Sequence, residues 1–199
     1  MENFFNSLYD TFSQTDSEGL KKIAGQIGGQ YKNAGTLKGQ QISVVYGGIS
    51  IFYDVVAISR GGTSDFRVKA EFKSHTSYHL VMNTKVCINF YIYTFGWMAA
   101  FKAHKYKKIE VSDRLSQNFN VHGTDEAITE RLIDEKTVKI MSDASFHTFQ
   151  IHCDGESGKI YALYGNIGNT DALLKTHHMV CSLIDHMKEQ KMIDAHSAL

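Results

Sequence analysis

Proline is absent from all 199 residues, although it supplies about 5% of average composition. Chain reversals therefore fall to the 16 glycines, helped by Asn, Asp and Ser. Cysteine is scarce and odd in number. Cys87, Cys153 and Cys181 lie far apart with no CxxC pair, which disfavours a disulfide scaffold and suits the reduced, packed thiols of a cytosolic protein. No apolar run approaches the roughly 18 residues that crossing a membrane requires. The start, MENFFNSLYDTF, lacks the basic residues, apolar stretch and small-residue cleavage site of a signal peptide. Net charge is missing too: 21 Lys plus Arg balance 21 Asp plus Glu, which removes the broad attraction that nonspecific nucleic-acid binding needs. These absences predict a soluble, cytoplasmic chain with no nucleic-acid partner and no transmembrane segment.

What is present is enough apolar material for a core, 43% hydrophobic and 12% aromatic residues. That supports one α+β domain over 1–199, or two lobes, 1–110 and 111–199. Phe4, Leu8 and Phe12 recur every four residues and predict a short amphipathic helix, lying on its own core or on a homodimer mate. A second helix starts at Asp16 or Ser17, buries Leu20, Ile23 and Ile27, and stops at Gly28-Gly29. Period two then takes over. Ile42, Val44 and Tyr46 alternate, Gly47-Gly48 turns, and Ile49, Ile51, Tyr53 and Val55 alternate again, as in a β-hairpin. Phe66, Val68, Ala70 and Phe72 predict a third strand with Arg67, Lys69 and Glu71 in water. Ser74 to Ser77 reads as a polar link, Val86 to Phe95 as a strand covered on both sides, and Ile109 and Val111 as a short strand.

The best-specified stretch runs from Asn118 to Asp154. It predicts a strand at Phe119 and Val121, a break at Gly123, and a helix opening at Thr124 or Asp125 with Ile128 and Leu132 on its apolar side. A second short helix, Glu135 to Asp143, buries Val138 and Met141, before Phe149, Ile151 and Cys153 alternate again. Ile160, Ala162 and Tyr164 make the partner strand through a turn at Asp154 to Gly158. Asn169 or Thr170 then caps a long last helix burying Leu173, His177, Val180 or Cys181, Ile184, and Met187 or Met192, which packs on the second half of the chain.

This order of elements, with DFRVKAEF, INFYIY and the segment Ile109-Glu110-Val111-Ser112-Asp113, Leu115, Phe119-Asn120-Val121-His122-Gly123-Thr124-Asp125-Glu126, resembles a group of uncharacterised bacterial proteins of the DUF3137 type, across about residues 18 to 190. Ser112 stands where glycine is usual there, and Leu115-Ser116 where Phe-Asp is usual. The resemblance implies an α+β fold and a bacterial source; it brings no activity, cofactor or catalytic residue.

Candidate chemistry is thin. His177, Cys181 and Asp185 follow at four-residue intervals, and with His152 a His/Cys set could ligate zinc in a metal-dependent enzyme. Yet His177 and Cys181 fall on the predicted core stripe, where a packed histidine and thiol are commoner. His75 and His79 form HxxxH without the adjacent Glu of a metalloprotease. A Cys153 nucleophile with His152 or His177 suffers from its place on an apolar alternation. GQIGGQ and GGISIF lack the flanking elements of phosphate loops and read as turns. One binding patch stands out: Trp97 and Phe101 beside Lys102, Lys105, Lys107 and Lys108, suited to an anionic membrane surface or a partner. The sequence therefore points to a noncatalytic binding module for an unidentified protein or small ligand, without a cofactor.

Overall fold

The computed structural model describes residues 17–33, 40–57, 64–85, 106–111, 113–143, 146–165 and 170–194. The Phe4 to Phe12 stripe, the Val86 to Phe95 strand, Cys87, Trp97, Phe101, Lys102 and Lys105 lie outside them.

Nine strands form one sheet in which every pairing is antiparallel. In chain order the elements are α1 (Ser17–Gln26), β1 (Gln30–Asn33), β2 (Gln40–Tyr46), β3 (Ile49–Ala57), β4 (Ser64–Lys73), β5 (Ser77–Thr84), β6 (Lys107–Lys108), α2 (Asp113–Asn118), β7 (Phe119–Gly123), α3 (Glu126–Leu132), α4 (Glu135–Asp143), β8 (Phe146–Asp154), β9 (Ser157–Gly165) and α5 (Thr170–Glu189). The spatial order is β1-β2-β3-β4-β9-β8-β5-β7-β6. Gly47 and Gly48, both at positive φ (55° and 83°), close the β2–β3 hairpin with a turn that other residues rarely adopt.

The β8–β9 hairpin sits inside a wider one made by β4 and β5. The link from Lys73 to Ser77 bends at His75 and Thr76, and side chains hold it down. Ser74 is buried, its amide donates to the Glu156 carbonyl (3.0 Å) and its hydroxyl to the carbonyls of Thr76 (3.1 Å) and Met192 (3.3 Å). Strands from before and after residue 110 thus interleave in one sheet.

One face of the sheet carries the helices. Ile42, Ile51, Val68, Ile160, Ile151, Leu80 and Val121 line it from successive strands and join Leu20, Leu132, Met141, Leu173 and Ile184 of the helices in one core. Gly158 belongs to this face because the ring of its cross-strand neighbour Phe72 lies over it; a Cβ there would come within 2.1 Å of that ring.

Three expectations need correction. The polar link read at Ser74 to Ser77 ends one residue sooner, because Ser77 opens β5; the rest of β5, whose Tyr78, Leu80 and Met82 alternate into the core, falls where the sequence reading assigned no element. The short strand is Lys107–Lys108 rather than Ile109 and Val111: it ends as the Ile109 amide donates to the Val121 carbonyl (2.9 Å), and a six-residue helix, α2, follows. The last helix also reaches the first half, where Lys188 Nζ donates to the Gly47 carbonyl (2.7 Å) and Tyr46 to Asp185 (2.8 Å).

Candidate functional site

Strand alternation divides the titratable side chains between two environments. Under α5, the Tyr53 hydroxyl and His177 Nδ1 share a 2.7 Å hydrogen bond, and Cys181 Sγ stands 3.5 Å from His177 Nε2. All three residues are buried. Either Nδ1–H meets the phenol oxygen and the thiol donates to Nε2, or the phenol donates and Nε2–H meets sulfur; both arrangements satisfy the trio. Burial first, and the neighbouring His178 second, hold the His177 pKa down to about 4, so the ring is neutral. Burial, with the Asp185 charge behind it, pushes the Cys181 thiol up to about 12, so it is no thiolate. Cys153 is likewise raised, by burial, against a hydrogen bond from Ser74. The trio has the chemistry of a satisfied polar contact inside a core.

His152 is elsewhere. It is exposed on β8 between the buried Ile151 and Cys153, and so stands on the opposite face of the sheet from His177 and Cys181. The structure does not bring the three proposed metal ligands together. Among the described residues, no group of three or more His, Cys, Asp or Glu is arranged to hold a metal ion. His75 is spent on Asp194 (2.8 Å) beside the β4–β5 link, far in role from His79 within β5.

The second environment is the opposite face, which carries no helix among the described residues and where register aligns side chains in transverse rows. One row runs Ser50, Glu71, Lys159, His152, His79, and the next runs Phe52, Lys69, Tyr161, Gln150, Val81, His122, Lys108. Toward β3 and β4, opposite charges meet: Arg67 holds Asp54 through two donors, and Lys159 meets Glu71 at 3.2 Å. Toward β5, β7 and β6 the rows carry rings and basic groups. His79 is directly opposite His152, their ring centres 4.1 Å apart, and Tyr106 stacks on the other side of His79 at 5.2 Å and 18°. The Tyr106 carbonyl accepts from His122 Nδ1 at 3.3 Å. Lys107 and Lys108 are exposed at the adjoining edge. Of the sequence-predicted patch, only these two lysines fall among the described residues. The Tyr106, His79 and His152 stack escapes a reading that leaves β5 unrecognised; the alternation of Tyr78, Leu80 and Met82 is the signal that would have exposed it.

No protein-family model matches this chain, and no curated protein matches it. Among solved structures, the crystal structure of the mycobacterial trehalose monomycolate transport factor A, TtfA, superposes with a TM-score of 0.52 at 10% identity, covering 86% of this chain and 94% of that one. The likeness is one of fold. No helix among the described residues is long and apolar enough to cross a membrane.

Proposed function

We propose that this chain is a noncatalytic binding module of the cytoplasm, similar in kind to the DUF3137-type proteins, which engages an acidic partner or ligand through the β5–β7–β6 end of its helix-free sheet face. The observation that carries the proposal is the uneven distribution of charge on that face. Where β3, β4 and β9 meet, carboxylates and cations neutralise each other in pairs. Beyond them stand three histidines, Tyr106, Lys107 and Lys108, a set that offers planar rings and positive charge to what approaches. The histidine and thiol that sequence spacing suggested as reactive are instead neutral and hydrogen-bonded to each other in the core, which supports binding ahead of metal-dependent catalysis.

Native mass spectrometry of the protein purified from its own cells tests this, alongside a Lys107→Glu/Lys108→Glu variant. Both lysines are exposed, so the variant should keep the wild-type circular dichroism. A retained species in the wild type that is lost from the variant is expected. A bare chain in both, or a species retained equally by both, would remove this face as the binding surface.

A further inference from the structure

We propose that His79 and His152 form a bidentate site for a borderline divalent transition cation, Cu2+ ahead of Ni2+ and Zn2+, on the helix-free face. Imidazole suits these ions, and their affinity for nitrogen sites peaks at copper. The two residues are cross-strand partners of β5 and β8, so the backbone itself fixes their spacing. Their ring centres are 4.1 Å apart with planes tilted by 39°. Two imidazoles bound side by side to one ion, with metal–nitrogen distances near 2 Å, place their ring centres roughly 4.5–5 Å apart. The half-ångström or so of difference falls to His152, which is exposed and can turn about its side-chain bonds.

His79 is the preorganised half. Tyr106 stacks on it, while its amide donates to Thr124 Oγ1 and its carbonyl accepts from the Thr124 amide, both at 3.0 Å. A ligand so held loses little freedom when the ion arrives. Asp154, two residues from His152, is held in the β8–β9 turn, where it accepts from the Glu156 and Ser157 amides and the Ser157 hydroxyl. Lys159, opposite His152 on β9, has its ammonium drawn toward Glu71.

The site shares His79 and His152 with the proposed partner-binding face, and titration with the metal alone tests it separately. Cu2+ titrated into the full chain, free of a histidine tag, at about pH 7.5 should bind once per chain with an electron paramagnetic resonance signature of two equatorial nitrogens. His152→Ala and His79→Ala should each weaken that binding at least about tenfold, and His75→Ala should leave it unchanged. Because His152 is exposed, its variant reports on the site even if His79→Ala disturbs the strand. Absence of Cu2+ binding, or binding of equal strength in wild type and His152→Ala, overturns the proposal.

Discussion

At the scale of single residues, the most consequential placement is His177. Its ring is kept neutral because charging it would require desolvating an imidazolium beneath α5, and its folded pKa of about 4 lies below the ordinary 6.5. Between those values the unfolded chain binds a proton that the folded chain does not. Stability from this group is therefore complete above about pH 6.5 and is lost as pH falls toward 4. Each pKa unit corresponds to about 1.4 kcal/mol, which puts the total on the order of 3 kcal/mol. Urea unfolding followed from pH 7 to 4.5 should show this decline in the wild type. A His177→Gln variant, less stable at neutrality because Tyr53 and Cys181 lose their shared partner, should lose less over the same interval. Parallel declines in the two proteins would mean that other groups set the pH dependence.

At the scale of elements, short helices survive because polar side chains satisfy their ends. Asp125 caps α3, its carboxylate accepting from the Ile128 amide at 2.8 Å, and Asp134 does the same for α4 through the Thr137 amide at 2.7 Å. Partial burial would raise the Asp134 pKa, but hydrogen bonds from Thr137 and the attraction of His186 together lower it. Seven-residue α3 is too short to stand alone. Asp125→Ala should therefore cost about 1 kcal/mol, measured by chemical denaturation, with little change at the distant β2–β3 hairpin. A neutral substitution would show that packing of Leu132 and Thr129 alone holds this turn. The last helix is tied differently: Lys188 on the Gly47 carbonyl and Tyr46 on Asp185 fasten it to a hairpin more than a hundred residues earlier.

At the scale of the whole molecule, the β8–β9 hairpin enters the gap between β4 and β5, and both flanks of that gap are nonlocal pairings. Neither half of the chain can complete the sheet alone, so amide exchange should find β4, β9, β8 and β5 protected to a similar extent and released together. Release of β8 and β9 well before β4 would contradict a single cooperative unit. The alternation of apolar residues in β2, β3, β4, β8 and β9, the cap at Asp125, and the glycine turn at Gly47-Gly48 were legible in the sequence, because strand pleat, helix period and turn conformation are set by neighbours only a few residues apart. So was the burial of His177 and Cys181, which follow the apolar stripe of α5. The insertion of one hairpin into another, the reach of α5 to Tyr53, and the meeting of His79 with His152 were not. Each depends on which strands pair, and that is chosen by the free energy of closing a whole core rather than by any local preference.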